Sequence, residues 1–359
     1  MEWTSLLWKP SRRQFPRDFI VTPEVHSKSI LFYGIVRVFF HAAEKSGIGC
    51  GRDRFSCYTE SRKLKGEGRV MKLTWMEAEQ PLPRIDRGLP NVFPIPIQLQ
   101  GQPAVVLFDT GASCSAVRRS VAEAAGLRPL HEQIAGGGSG LGRIQAEKWL
   151  AETVQIGPLT VTEQVWMVLP DACFVFELET GHPAQIDGLL GWDVLQFGCW
   201  QWDEKSQRLS GKPSLPEKST IHELTGWDSM PVVQAETNGE ILCWGFDSGN
   251  TSTTGGSLFY SRLPESLPLE LETLTGVDGT TQVPAKRLAR LPLRIGTAEM
   301  ILSDVPVINK TLYPVRDQAV AGLLGADVLA GCSWRLDYPN RRLELKPEAT
   351  NSNRPVRRV

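Results

Sequence analysis

Neither sign of charge dominates this sequence, in which 39 lysines and arginines stand against 40 aspartates and glutamates. That balance argues against a chain built mainly to coat nucleic acid or an anionic membrane. The longest apolar stretch, residues 30–43, is interrupted by Arg37 and falls short of the roughly 20 residues that a membrane-spanning helix needs. No standard signal peptide precedes it, so the cytoplasm is the expected location.

Cysteine and histidine are also sparse and unpaired. The seven cysteines form no CxxC, and the five histidines form no HExxH or other metal-ligand spacing. We therefore expect a reducing compartment, no disulfide framework, no metal and no cofactor.

The first seventy residues differ in composition from the rest. They carry 13 basic and 7 acidic residues, whereas residues 71–359 carry 26 and 33. Residues 1–89 are therefore interpreted as a basic, poorly ordered extension that ends in a Pro-rich linker and passes into an edge strand. Translation beginning at Met71 is an alternative interpretation of the same break. Residues 348–359 are predicted to form a basic tail.

The remaining chain is one unit written twice. The segment NVFPIPIQLQGQPAVVLFDTGAS, at 91–113, is repeated in pattern by MPVVQAETNGEILCWGFDSGNTS, at 230–252. GLLGWDVL and GLLGADVL follow at 188–195 and 322–329. The order of these matches indicates a duplication, with a first lobe over 90–215 and a second over 226–347.

Short runs of Val, Ile and Leu broken by Gly, Pro or Asn favour an all-β fold. Strands are predicted at 103–108, 153–156, 164–169, 241–246, 291–295 and 301–308, and Asn238-Gly239 predicts a tight hairpin. One helix is predicted at 115–126, ending at Gly126, and short helices after each GLLG, at 193–197 and 327–331.

Each copy contains an Asp-Thr/Ser-Gly triplet that follows an apolar strand and precedes a Leu-Leu-Gly. One such triplet alone is usually a turn, but the joint pattern is specific. Over residues 90–347 the chain resembles the aspartic peptidases: DTGA at 109–112 is similar to the retropepsin-like branch, and two lobes on one chain are similar to the pepsin-like branch. The resemblance implies two β-barrel-like lobes, related by a pseudo-twofold axis, with short helices and an intervening cleft for an extended peptide.

The resemblance also implies a role for each matching residue. Asp109 and Asp247 would be the catalytic pair, activating water while sharing one proton, since two adjacent carboxyls cannot both ionise, as is known for aspartic peptidases. Thr110 and Ser248 would hydrogen-bond across the axis. The remaining loop supports would be Gly111, Gly249, Leu190, Gly191, Leu324 and Gly325. With both carboxylates on one chain, we expect a monomer containing an intramolecular pseudo-dimer.

Glycines after the first triplet suggest a lid. The segment containing Gly137, Gly138, Ser139 and Gly140 is predicted to be a mobile flap, with 275–279 as its counterpart, and a plain flexible linker is the alternative. Asp193 and Asp327 are expected to cap the helices that follow GLLG. Cys114 is interpreted as a small apolar residue, since no Cys-His arrangement surrounds it.

Three functions remain open from the residues alone. The first is an aspartic endopeptidase acting on extended peptide or protein substrates. The second is a non-catalytic peptide-binding module on the same fold, suggested by Asn250, which stands where the first copy has Ala112. The third is an enzyme that removes its own basic N-terminal segment.

Overall fold

The first half of the described chain consists mainly of strands. The computed structural model describes residues 57–63, 70–76, 80–138, 142–176, 183–214, 230–312 and 320–348. All of these belong to one unit, Val38–Val359. The strands of the first half are β1 (Cys57–Lys63), β2 (Val70–Met76), β3 (Leu82–Pro83), β4 (Pro94–Leu99), β5 (Gln102–Phe108), β6 (Ala116–Arg118), β7 (Arg128–Gly136), β8 (Ile144–Ile156), β9 (Leu159–Leu169), β10 (Val175–Phe176), β11 (Ala184–Gln185), β12 (Gly188–Leu190), β13 (Gly198–Asp203) and β14 (Arg208–Pro213).

The second half repeats this plan. Its strands are β15 (Val232–Thr237), β16 (Glu240–Phe246), β17 (Thr254–Gly255), β18 (Leu269–Gly276), β19 (Gly279–Ile295), β20 (Ala298–Ile308), β21 (Gly322–Leu324), β22 (Cys332–Asp337) and β23 (Arg342–Pro347). The helices are short: α1 (Arg119–Ala124), α2 (Trp192–Leu195) and α3 (Ser257–Tyr260), with 3₁₀ turns at Asp171–Phe174 and Ala326–Leu329. The predicted all-β class with short helices is confirmed.

Six strands in each lobe close into a barrel. In lobe 1 the order is β4–β5–β12–β6–β9–β8 and back to β4. In lobe 2 it is β15–β16–β21–β17–β20–β19 and back to β15. The two orders are the same once matching strands are paired, so the architecture is bilobal with equivalent connectivity in both halves. Closure leaves no free edge in either ring.

Backbone conformation explains the tight turn between the first two strands of each barrel. Gln100 and Gly101 have φ of 51° and 81°, and Asn238 and Gly239 have φ of 50° and 80°. Two successive positive φ values define the turn that matches the twist of antiparallel strands, and Asn and Gly tolerate them best. The hairpin predicted at Asn238-Gly239 is therefore present, and its counterpart uses Gln100 at a less favourable position.

A third sheet joins the lobes. Its order is β3–β14–β13–β22–β23, and lobe 1 meets lobe 2 where β13 pairs with β22, bringing Trp202 opposite Trp334. Phe93 packs edge-on against both rings, with centroids 4.9 Å and 5.3 Å away. The described lobes therefore share one aromatic core beneath the cleft.

Two local expectations differ from the structure. Residues 116–118 of the predicted helix 115–126 form β6, because they complete the barrel between β12 and β9, and the helix itself covers Arg119–Ala124. Within the predicted N-terminal extension, β2 pairs with β9, and Leu73 and Trp75 are buried in the core. Residues 1–56 and the predicted tail from residue 349 lie outside the described residues, so self-processing and a Met71 start stay predictions.

The Pro-rich lead does reach an edge. Leu82–Pro83 pairs with β14 as the outer strand of the sheet that joins the lobes, where proline's missing N–H leaves no gap in the ladder. Among the described residues, no helix is long and apolar enough to cross a membrane.

Candidate active site

Asp109 and Asp247 follow the equivalent strands β5 and β16. The Asp109 N–H donates to the Leu190 carbonyl at 3.0 Å, and the Asp247 N–H donates to the Leu324 carbonyl at 2.9 Å. Because Leu190 and Leu324 are fully buried, each Leu-Leu-Gly strand holds its loop from behind. Both predicted support leucines therefore lie where the loops begin.

Each carboxylate is oriented by its own loop. Asp109 Oδ1 accepts from the N–H groups of Gly111 and Ala112 at 2.9 Å and 3.0 Å. Asp247 Oδ1 accepts from those of Gly249 and Asn250 at 3.0 Å and 3.2 Å. Asn250 thus gives the second loop the same backbone contact that Ala112 gives the first.

The glycines allow the two loops to meet. A Cβ on Gly111 would overlap the Asp247 carboxyl, and a Cβ on Gly249 would overlap the Asp109 carboxyl. Each glycine therefore faces the opposite aspartate, which is the close backbone approach that only glycine permits. Gly191 and Gly325 are constrained similarly, since a Cβ on either would press on the backbone of the neighbouring loop.

Thr110 and Ser248 form a reciprocal hydrogen-bonded lattice between the lobes. The Thr110 hydroxyl donates to the Phe246 carbonyl at 2.7 Å and accepts from the Ser248 N–H at 2.9 Å. The Ser248 hydroxyl donates to the Phe108 carbonyl at 2.7 Å and accepts from the Thr110 N–H at 3.1 Å. Both side chains are buried and fully partnered, so the lattice fixes the separation of the carboxylates.

Burial and proximity change the acidity of the pair. Removal from water is the main cause that raises the pKa of Asp109 well above its ordinary value, and the charge of Asp247 raises it further. Removal from water also raises the pKa of Asp247, while a hydrogen bond from Asp109 works in the opposite direction. Because burial and the contact between the two carboxyls act on both groups, the titration belongs to the pair rather than to either residue.

Asp193 and Asp327 do not cap helices, contrary to the sequence-based expectation. Gly191 and Gly325 occupy the cap positions, and the aspartates lie within the first turn. Asp193 Oδ1 instead accepts from the N–H and hydroxyl of Ser115, at 2.9 Å and 2.7 Å. The prediction was wrong because Asp193 bonds to Ser115, 78 residues earlier in the chain. Local spacing in the sequence does not reveal such a long-range contact.

Lobe 2 has the same pair of hydrogen bonds, made by Thr253 and Asp327. The Thr253 N–H and hydroxyl donate to the Asp327 carboxylate at 2.8 Å and 2.7 Å, and the Gly325 N–H donates to the Thr253 hydroxyl. Sequence reasoning missed Ser115 and Thr253. Their signal was present, since each hydroxyl residue lies six positions after its catalytic-type aspartate.

A cavity of about 550 Å³ lies over the carboxylates. Gly137 and Gly138 border it from the hairpin β7–β8, and Thr275, Gly276 and Val277 from the hairpin β18–β19. The hairpin tips meet: the Gly142 N–H donates to Asp278 Oδ2 at 2.6 Å. Of the predicted flap, Ser139 and Gly140 lie outside the described residues.

Cys114 borders the same cavity. Burial, with a further contribution from the charge of Asp193, raises the pKa of its thiol to about 11. A thiol with that pKa is almost wholly protonated at neutral pH and is a poor nucleophile. Within the described part of the chain, no group of three or more His, Cys, Asp or Glu side chains is arranged to hold a metal ion.

Comparison with known proteins agrees with this geometry in the first lobe. Residues 95–194 match the family model described as aspartyl protease. Among solved structures, the chain is similar to an aspartic proteinase from Irpex lacteus at 12% identity and a TM-score of 0.46, covering 77% of this chain and 99% of that one. No curated protein matches the sequence.

Proposed function

Because the chain is aspartic-peptidase-like, we propose that it is an aspartic endopeptidase that hydrolyses peptide bonds within extended peptide or protein segments. One observation carries the proposal: the carboxyls of Asp109 and Asp247 meet at the floor of the cavity, each aimed by its own loop. The family match over residues 95–194 supports a protease-like function for the first of these loops.

The proposed chemistry needs one proton on the pair. The ionised carboxyl takes a proton from a water molecule, and the protonated carboxyl donates to the carbonyl oxygen of the scissile bond. The water oxygen bonds to the carbonyl carbon and gives a gem-diol. The C–N bond then breaks as the proton taken from water passes to the amine nitrogen, while a diol hydroxyl returns its proton to the other carboxylate, so that the acid product forms and the pair again holds one proton. Rigid loops reduce the reorganisation that this exchange requires.

Asn250 does not favour the non-catalytic alternative. Its N–H contacts the Asp247 carboxylate, and its carbonyl accepts from the Ala326 N–H at 2.7 Å. Ala112 makes the equivalent bond to the Trp192 N–H at 2.8 Å. Since both residues act through the backbone, the change of side chain leaves the loop geometry intact.

Cleavage of a diverse peptide library from pH 3 to 8 tests the proposal. We expect wild type to cleave, and Asp109→Asn and Asp247→Asn each to lose roughly a thousandfold or more in rate. Asp203→Asn is the matched control, because Asp203 is exposed at the end of β13. Far-UV circular dichroism should show all four proteins folded. Cleavage that survives in either loop variant would refute the pair, and a folded but inactive wild type would favour the binding module.

The pH profile provides a second test of the same pair. Activity requires the singly protonated state, so it should fall at low pH as the second proton binds and at high pH as the shared proton leaves. Because the pKa of Asp109 is raised, the upper limb should lie well above the ordinary Asp pKa of 3.8. A profile that is already falling near pH 4 would contradict this assignment.

A further inference from the structure

The two lobes use equivalent positions of their barrels differently. Leu189 of β12 lies beside Leu107 of β5, and Leu323 of β21 lies beside Gly245 of β16. The strands match, but a leucine in lobe 1 is a glycine in lobe 2. The position two residues before the loop aspartate therefore carries a large side chain in lobe 1 and no side chain in lobe 2.

In lobe 1, apolar residues of the barrel and of the neighbouring flap strand β7 open onto the cavity. They include Leu107, Ile134, Ile144, Ala146, Met167 and Leu189. Ile134, Ile144 and Met167 are only half-buried, so their side chains retain surface that a ligand can cover. This wall is continuous with Asp109 and Cys114 on the floor of the cavity.

In lobe 2, the corresponding residues are packed against one another. Met230, Val283, Ala285, Ile308, Leu312 and Leu323 form a separate buried cluster. Met230 is 1% exposed, and its thioether end lies directly over Gly245, where Leu323 Cδ2 would stand 2.7 Å from a Cβ. Met230 thus fills the space that the glycine leaves, as a flexible side chain readily does.

The residues that lobe 2 contributes to the cavity are fewer and are mostly polar or glycine. Its described lining residues come from the active-site loop and the flap: Asp247, Gly249, Asn250, Thr251, Thr275, Gly276 and Val277. The two halves of the cleft therefore present unlike surfaces to a bound peptide.

We infer that the cleft takes one bulky apolar side chain, of leucine or phenylalanine size, against the lobe 1 wall and a small side chain on the lobe 2 side, because Met230 occupies the second site. The inference rests on the proposed function, since the ligand is the peptide substrate. Met167 and Met230 are then specificity-determining residues with opposite roles, one lining an open pocket and the other closing its counterpart.

Binding in an inactive background tests this without cleavage. Four fluorescein-labelled octapeptides would carry Phe-Ala, Ala-Phe, Ala-Ala or Phe-Phe at their centre, and anisotropy would be read with Asp109→Asn protein. We expect one single-Phe peptide to bind roughly tenfold or more tightly than Ala-Ala, and Phe-Phe to gain nothing beyond it. Met167→Trp should erase the preference, and Met230→Ala should let Phe-Phe bind more tightly than either single-Phe peptide.

Met300→Trp is the matched control, because Met300 is half-buried on β20 outside the cavity lining. It should leave all four affinities unchanged, and circular dichroism should show each variant folded. Equal binding of all four peptides, or preference for Phe-Phe in the parent, would overturn the inference. If wild type cleaves no peptide while these affinities hold, the proposed protease function is wrong and the proposed pocket stands. If wild type cleaves peptides without a preference for Phe, the proposed pocket is wrong and the protease function stands.

Discussion

Asp193 stands behind the first active-site loop, and its environment makes its charge unfavourable. Burial raises the pKa of its carboxyl to about 6, although Ser115 and Gln164 donate hydrogen bonds to it. A pKa raised on folding means that the stabilising contribution is complete below the unfolded pKa near 3.8 and is lost as pH rises through about 6. The loop is therefore held by a group that weakens the fold at neutral pH.

Asp193→Asn should consequently stabilise the protein at neutral pH. Asparagine keeps an acceptor for Ser115. Once the Gln164 amide turns over, so that its oxygen takes the place of Nε2, the new amide can donate to Gln164 Oε1, which has no partner in the described structure. We expect a gain of at most about 3 kcal/mol in the free energy of unfolding at pH 7, shrinking to nothing near pH 4. Urea unfolding at both pH values measures it.

Asp203→Asn is the contrasting variant. A hydrogen bond from the Ser206 hydroxyl is the main cause that lowers the pKa of Asp203, so its contribution is present at neutral pH and lost as pH falls. That variant should be slightly less stable than wild type at pH 7, the opposite sign. If Asp193→Asn were also destabilising at pH 7, the carboxylate would be the preferred form and the argument would be wrong.

At the scale of elements, the two flaps are joined by one carboxylate. Asp278 at the tip of β18–β19 accepts from the Gly142 N–H, and a Cβ on Gly138 would press on the same side chain. Each flap hairpin is long, and its tip is held by this contact between lobes. On the proposed function, an extended peptide that enters between the flaps must break this contact.

Asp278→Ala should therefore loosen the first flap. We expect amide exchange at Gly142 and Arg143 to accelerate by about tenfold, given a typical charge-assisted hydrogen bond, with the barrel strands unaffected. Glu299→Ala is the control, since Glu299 is an exposed carboxylate at the far end of the β19–β20 hairpin. Hydrogen exchange by mass spectrometry would show the difference, and unchanged exchange at the tip would show that the contact does not hold it.

Local patterns predicted the elements that local forces decide. Short runs of Val, Ile and Leu predicted the strands, and Asn238-Gly239 predicted its hairpin because two positive φ values suit those residues. The start of the helix at 115–126 failed because 116–118 is drawn into the barrel by β12 and β9. Residues 70–76 were missed because the pairing that orders them is with β9, some ninety residues away.

At the scale of the whole molecule, the predicted loop residues meet because the lobes share a sheet. Repetition of the triplets predicted two lobes, but no spacing in the sequence indicates that β13 pairs with β22. Nor does it indicate that Trp334 packs 5.7 Å from Phe108, centroid to centroid. Phe108 provides the carbonyl that the Ser248 hydroxyl contacts, so the aromatic core and the lattice between the loops are continuous.

Trp334→Ala should accordingly damage activity beyond its effect on stability. Removing a buried tryptophan costs about 3–5 kcal/mol wherever it lies. Trp166→Ala is the matched variant, because Trp166 is fully buried in β9 of lobe 1, away from the sheet that joins the lobes. At a temperature where both variants remain folded by circular dichroism, we expect kcat to fall about tenfold or more in Trp334→Ala only, since a small displacement of a catalytic group is costly. Equal kcat in the two variants would mean that the loops hold their separation without the aromatic core, and the hydrogen-bonded lattice of Thr110 and Ser248 alone would then align the carboxylates.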